Sequence, residues 1–341
     1  MTLPILPIWN PECNPEEQEQ YVSQPDDALV VQVFENRVKK TIDDHQLISK
    51  NAQVLVAVSG GKDSLATLFV LKKLGYAVEA VTIDVHIGCY TKKNLENVRK
   101  FCANHEIKLH VFEFRKEYGY SVCYMQSVLK NAGHEFTSCT VCGVLRRRLL
   151  NKLARERKAT VIATGHNMDD EVQAVLMNWA TNKAGLNARL GPLAKNRDEG
   201  LVPRIKPLYF TPEEDVIRYT KILNFPVHYG RCPCSVEGLR FAMRNFVAEL
   251  EKINPDCKKN LLQYFLNNKP QTPVLPVQSQ LNSCTHCGEP ASSSVCRSCQ
   301  ILGLLNEVTK DTNTSSNNDL NSTRKDSDNS DITSDIINYT K

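Results

Sequence analysis

With 341 residues, 41% hydrophobic and 23% charged, the chain can bury a full core, and no apolar run approaches the ~20 residues of a membrane-spanning helix. The opening MTLPILPIWNPECNPEEQEQ is no signal peptide, so the expected setting is cytoplasmic with no membrane partner, where thirteen cysteines argue for metal ligands or reactive thiols rather than disulfides. The net charge of +4 is unevenly spread: residues 1–28 hold six acids and no Lys or Arg, residues 309–341 six acids against four bases, and residues 29–308 carry +12, which fits a polyanionic partner such as RNA or an ordinary basic surface.

Residues 1–28 read as a flexible acidic arm, with four prolines before Tyr21 and no periodicity. Apolar residues at Leu29, Val30, Val33, Phe34, Val38, Ile42 and Leu47 predict a helix over 27–48. Val54–Val58 reads as a buried strand, and Leu65, Leu68, Phe69, Leu71 and Leu74 follow at helical spacing. Between them lies Ser59-Gly60-Gly61-Lys62-Asp63-Ser64. Strand, glycine turn and helix together aim free backbone N–H groups and the positive helix end at an anion, with Lys62 adding a point charge and Ser59 and Ser64 hydroxyls. The stretch lacks the spacing of a Walker loop and the three-glycine dinucleotide fingerprint. It resembles the PP-loop of ATP pyrophosphatases, which implies ATP cleavage between the α and β phosphates and an adenylated intermediate.

A second strand is predicted over 77–83, followed by Asp84, then a helix over 91–104, a strand over 108–114 and a helix over 121–132. This alternation predicts an α/β fold: a parallel sheet with helices on both faces and ligands beyond the carboxyl ends of the strands. The PP-loop and Asp84 share that edge. Cys139 and Cys142 come next, at C-x-x-C spacing before a helix with Arg146, Arg147 and Arg148. The helix end and the arginines are expected to favour thiolates, which ligate soft metals and act as nucleophiles; the same pair also suits plain packing thiols. The arginines suit either phosphate binding or a solvated face. Thr160–Thr164 predicts another strand, ending in Gly165-His166-Asn167-Met168-Asp169-Asp170 and a helix to about Trp179. Taken alone, His166 is a turn residue and the two aspartates complement a helix dipole; opposite a PP-loop, His166 and Gly165 would touch ATP and an aspartate could hold Mg²⁺ on its phosphates. Beyond lie the basic stretch Arg204–Leu208, a helix from Thr211, the thiols Cys232 and Cys234, and two helices carrying Arg240, Arg244, Lys252, Lys258 and Lys259.

The order SGGKDS, CTVCG with a basic run, ATGHNMDDEVQAVLMN, PRIKPL and Cys-Pro before a basic helix resembles the TtuA-type tRNA 2-thiouridine synthetases over roughly residues 29–300. The resemblance implies an enzyme that adenylates the O2 of a tRNA uridine and replaces that oxygen with sulfur. It implies that ATP is held by Ser59, Gly60, Gly61, Lys62, Asp63, Ser64, Asp84, Gly165 and His166. It also implies a [4Fe-4S] cluster on Cys139, Cys142 and Cys232 with one iron open to hydrosulfide. Arg146 falls where the family has a catalytic lysine and Asp170 matches its acid, so Cys142, Cys232, Arg146 and Asp170 form the expected catalytic set. Arg for Lys suits charge stabilisation better than proton transfer. The implied partners are tRNA and a sulfur donor, either a ubiquitin-like carrier or free sulfide, and a homodimer is allowed. The chain departs from the family in lacking an amino-terminal zinc module, only Cys13 standing before the core, and in having Cys234 where a Tyr is usual. A tRNA 2-thiocytidine synthetase-like enzyme and a non-catalytic RNA-binding protein are the rival readings.

After a proline-bearing linker over 269–283, Cys284, Cys287, Cys296 and Cys299 form C-x₂-C-x₈-C-x₂-C, two knuckles able to close a tetrahedral zinc site over 284–300. Residues 309–341, rich in Asn, Ser, Thr and Asp, predict no structure.

Overall fold

The computed structural model describes residues 21–194, 200–235, 238–269 and 281–322. Helix α1 (Asp27–Asp44) leads into strand β1 (Gln53–Ala57), α2 (Lys62–Lys73), β2 (Ala77–Asp84), α3 (Gly88–Asn104) and β3 (Leu109–Glu113). Then come α4 (Phe114–Tyr118), α5 (Val122–Asn131), α6 (Ser138–Glu156), β4 (Val161–Thr164) and α7 (Met168–Ala180). Two short strands, β5 (Leu193–Ala194) and β6 (Arg204–Ile205), precede α8 (Glu213–Ile222), α9 (Leu239–Ile253) and α10 (Cys257–Asn267). The carboxyl-terminal part is a hairpin, β7 (Asn282–Ser283) and β8 (Pro290–Ala291), and helix α11 (Arg297–Ser322).

The sheet runs in the order β3-β2-β1-β4-β6-β5, parallel except for β5, which pairs antiparallel with β6 at the edge. β1 sends β2 and then β3 to one side and β4 lies on the other, so the order reverses between β1 and β4. That reversal opens a crevice beyond their carboxyl ends, where α/β folds bind ligands. Helices cover both faces, as the alternation of elements predicts. The pleat divides β1 between them: Val54 and Val56 pack with α1, α2 and α8, while Leu55 packs with α5, α6 and α11. Leu65, Leu68 and Leu71 of α2 are fully buried, each contributing roughly 1.5–3 kcal/mol of burial. They hold the start of α2 rigidly against β1.

Two expectations about the ends change. The arm is shorter than residues 1–28, because Tyr21 Oη, Ser23 Oγ and Gln24 N all donate to Asp27 at 2.6, 3.1 and 2.8 Å and fasten the chain to α1; residues 1–20 lie outside the described residues. Most of the linker, 270–280, also lies outside them. The expected unstructured tail is cut into by α11, which runs on to Ser322 because a nucleated helix gains one hydrogen bond per added residue. Its first turns are anchored by Ile301 and Leu305, both buried in the cluster formed by α5 and α6.

Candidate functional site

The loop from Ser59 to Ser64 is held by its own side chains. Ser64 Oγ donates to Gly61 O at 2.9 Å and accepts from Ser59 N at 3.1 Å. Two glycines let other loops close in. A Cβ at Gly60, whose φ is +86°, would stand 2.5 Å from the Asn94 carbonyl oxygen, and one at Gly165 would stand 2.7 Å from the backbone of Asp63 and Ser64. Gly61 caps α2 with no side-chain hydrogen bond, so the first-turn N–H groups face the crevice as donors for an anion. Lys62, largely buried, lies 2.7 Å from Glu213 Oε1 and 3.0 Å from Asp63 Oδ2. Burial lowers its pKa, but the two carboxylates outweigh this and hold it charged. Burial raises the pKa of Asp63 against the pull of Lys62, and the nearby charge of Asp170 adds to the rise.

Across the crevice, β4 leads into Gly165 and His166, whose Nδ1 is 2.9 Å from Thr164 Oγ1. Burial lowers the His166 pKa, which favours the neutral ring. Asn167 caps α7 in a reciprocal box with Asp170 and also donates to Asp63 Oδ1 at 2.8 Å, tying the two loops together. The adjacent aspartates part company. Asp169 accepts from Lys258 Nζ at 2.9 Å and from Glu213 N at 2.8 Å, which makes it a brace for α8 and α10. Asp170 faces the PP-loop and Arg240, 3.4 Å away. Asp84, at the end of β2, accepts from His86 N at 2.7 Å.

The thiols gather beside this edge. Cys139 and Cys142 lie one turn apart in the first turns of α6, and Cys232 and Cys234 lie at the short turn Pro233–Ser235 that packs on α6. Cys139 Sγ donates to the Cys234 carbonyl at 3.4 Å. Cys123, at the start of α5, joins them, within electrostatic range of Cys234 and Cys142. Burial and the neighbouring thiols raise the Cys139 pKa, and Arg240 and Arg146 offset this only in part. The arginines thus favour the thiolate of Cys139, as expected, but burial outweighs them. The three arginines diverge. Arg146 acts on Tyr90 and Cys139, Arg147 lies by Cys142 and accepts at its carbonyl from Arg204 Nη2 at 3.1 Å, and Arg148 acts on the knuckle cysteines. Tyr90 bridges the two halves, within electrostatic range of Lys62 on one side and of Arg146 and Cys232 on the other.

In the carboxyl-terminal knuckle the ligand atoms of Cys284, Cys287, Cys296 and Cys299 lie within 4.8 Å of one another, the one such group of three or more among the described residues. Tetrahedral Zn–S bonds of ~2.3 Å place ligand sulfurs ~3.8 Å apart; Cys287 and Cys296 sulfurs are 3.7 Å apart. Backbone N–H groups of Cys296 and Cys299 donate to the sulfurs of Cys284 and Cys296 at 3.2 and 3.4 Å, which stabilises thiolates. The donor set fits a single zinc ion. Cys139, Cys142 and Cys232 spread more widely and offer only sulfur, which fits a polynuclear iron–sulfur group whose irons each take one thiolate.

The model of the PP-loop domain matches residues 30–229. The chain is 31% identical to the tRNA-5-methyluridine(54) 2-sulfurtransferase of Pyrococcus horikoshii, over 81% of this chain and 86% of that protein. It is 34% identical to its counterpart from Thermotoga maritima, over 79% and 86%. This chain belongs to the PP-loop family of tRNA 2-thiolation enzymes. Among solved structures it resembles the U34-tRNA thiolase NcsA from Methanococcus maripaludis with its [4Fe-4S] cluster, at 26% identity and a TM-score of 0.66, covering 81% of this chain and 88% of that one.

Membership of the PP-loop family leaves several residues here that sequence reasoning does not single out. Glu213 pairs with Lys62 from a different helix, and Asn167, Asn94 and Tyr90 knit the loops around the crevice. Only Glu213 carries a local signal, as an acid at the start of α8. Lys258, one of the basic residues on the last two core helices, is spent internally on Asp169, Glu214 and Glu251. Arg240, Lys252 and Lys259 remain exposed.

Proposed function

We propose that this protein is an ATP-dependent tRNA sulfurtransferase that adenylates the C2 oxygen of a uridine and replaces it with sulfur to give 2-thiouridine. The observation that carries this reading is that the phosphate-binding loop and the thiol pocket open on one sheet edge, with Tyr90 in range of Lys62, Arg146 and Cys232. The uridine O2 attacks the α-phosphorus of ATP and pyrophosphate leaves; a sulfur at the hydrosulfide level then attacks C2 and AMP leaves. The amides at the start of α2, with Ser59, Ser64 and Lys62, hold the phosphates, Gly165 and His166 line the nucleotide side, and Asp63, Asp84 and Asp170 supply carboxylates for Mg²⁺. Lys62 exchanges Glu213 for phosphate oxygens. Arg146, always charged, stabilises negative charge as AMP departs and moves no proton. Cys139, Cys142 and Cys232 would hold a [4Fe-4S] cluster, which supplies an open iron for sulfur, and the knuckle would hold zinc for structure alone. The exposed basic residues Arg240, Lys252 and Lys259 suit contact with tRNA in a reducing, cytoplasmic setting.

The test is anaerobic assay of the full chain with ATP, free sulfide and tRNA, following pyrophosphate release and the nucleosides of digested tRNA by mass spectrometry. The expected result is tRNA-dependent pyrophosphate release and 2-thiouridine. A 2-thiocytidine product, or no pyrophosphate release, would overturn it.

A further inference from the structure

Strand β6 sends its two side chains to opposite faces of the sheet. Ile205 packs into the core beneath α2, and Arg204, in register with Ile162, turns to the face that carries α6. There its Nη2 donates to the carbonyl oxygen of Arg147 at 3.1 Å. The Arg147 guanidinium folds back along α6 to Gly143, beside Cys142, where a Cβ would stand 3.1 Å from Nη1. One guanidinium is thus exposed and the other half-buried along the stretch of α6 that borders the thiol pocket. Among the described residues neither is ion-paired, whereas Arg155, further along the same helix, has Glu289. The Nε of Arg204 is buried with no hydrogen-bond partner, and so is the Nε of the adjoining Arg146. Burial and the charge of Arg147 pull the Arg204 pKa down to about 10, as befits a cation without a counter-ion.

We propose that Arg147 and Arg204 hold the phosphodiester backbone of the tRNA beside the target uridine and so fix how its base enters the crevice. The inference rests on the sulfurtransferase reading and locates for it a contact to the part of the substrate that carries no sequence. Planar guanidiniums donate in a fork that matches phosphate oxygens, and a pair without acids has nothing to give up when a phosphate arrives. Lys62 differs, since it must first leave Glu213. The phosphates of ATP have a separate place. The amides that receive them open at the start of α2, whose Leu65 and Leu68 pack on the other face of the sheet. A uridine lying between the PP-loop and the pocket thiols carries its own backbone past the rim formed by α6. A phosphate contact there sets position and orientation without reading bases.

The experiment measures binding of an unmodified tRNA transcript to the full chain by filter retention, without ATP and over a range of salt. It compares the unaltered chain with Arg147→Gln, Arg204→Gln and Arg204→Lys. Each Gln variant is expected to bind roughly tenfold more weakly, with log affinity against log salt shallower by about 1, while Arg204→Lys keeps the slope. ATP affinity should be unaltered in all three, and the melting temperature should hold in Arg147→Gln, which is exposed. Phosphate-ethylation interference on the same transcript should show a block next to the uridine that is thiolated in the full reaction, and Arg204→Gln should lose that block. Affinity and slope unaltered in both Gln variants overturn the proposal, as does interference confined to phosphates remote from that uridine. Weaker ATP binding with tRNA binding intact overturns it too, by giving the pair to the nucleotide. If tRNA binding weakens as expected but the unaltered chain forms no 2-thiouridine from ATP, sulfide and tRNA, the backbone contact stands and the sulfurtransferase reading falls.

Discussion

At the knuckle four thiols close on one point, their ligand atoms within 4.8 Å of one another and backbone N–H groups donating to two of the sulfurs. At the sheet edge five thiols from α5, α6 and the turn at Pro233 face a crevice lined by cations. The knuckle is built from one short stretch of sequence and leaves no ligand position open. The pocket is built from three remote stretches and surrounds its sulfurs with groups able to handle an anion. Cysteine count and spacing therefore say little about use; what decides it is whether the backbone saturates the sulfurs or leaves them facing a substrate.

The largest expected effect separates the two groups outright. Cys232→Ser should abolish thiolation and most of the iron while leaving zinc content and tRNA-dependent pyrophosphate release intact, as read by metal analysis and pyrophosphate assay. Zinc lost along with iron would break the distinction. The mirror experiment, Cys296→Ser, should release zinc and open the 281–297 segment to protease. Structural zinc is worth ~10–16 kcal/mol in small knuckle peptides, but here Ile301 and Leu305 keep α11 docked, so the core should still melt cooperatively.

Lys62→Ala sharpens the comparison from outside it. Both metals should stay, yet pyrophosphate release should fall on the order of 100-fold, about 3 kcal/mol of transition-state stabilisation. A smaller effect concerns pH. The raised pKa of Asp63 means that the folded protein holds this proton more tightly than the unfolded chain, so Asp63 adds stability when protonated and loses it as the pH rises through its pKa. On acidification it is neutralised above the ordinary Asp range. The acid limb of pyrophosphate release should lie correspondingly high, and Asp63→Asn should cost activity while leaving the melting temperature at neutral pH equal or higher. A limb at ordinary carboxylate pH would remove Asp63 from the magnesium site. Least affected should be sulfide-driven thiolation in Cys234→Ser, which should retain most of the original rate.

Features that are contiguous in the chain were legible in it. SGGKDS occupies a single βα turn, and the knuckle spacing matches its geometry. Cys139 and Cys142 sit on one face of a helix because they are three residues apart. Through-space pairings left no such trace. The Lys62–Glu213 pair joins two helices 151 residues apart, and Cys123 reaches the pocket only because α5 packs against α6. Asp169 and Asp170 are indistinguishable on paper, but successive helical residues point ~100° apart, which sends one to Lys258 and the other to the PP-loop.

Helix α6 carries Cys139 and Cys142 in its first turns and, ~20 Å along, Asn151 and Arg155, whose side chains grip Glu289 of the knuckle loop. Arg155 holds that carboxylate with both guanidinium nitrogens, and the Glu289 carbonyl in turn accepts from Cys284 N at 2.9 Å. One rigid rod thus joins the thiol pocket to the knuckle. By linkage, any free energy that a metal in the knuckle would put into fixing the rotation of α6 about its axis would be returned as affinity were the pocket cysteines to engage a ligand of their own, and the coupling would be the same read in either direction. Occupancy of a site that performs no chemistry becomes a term in the affinity of the one that does.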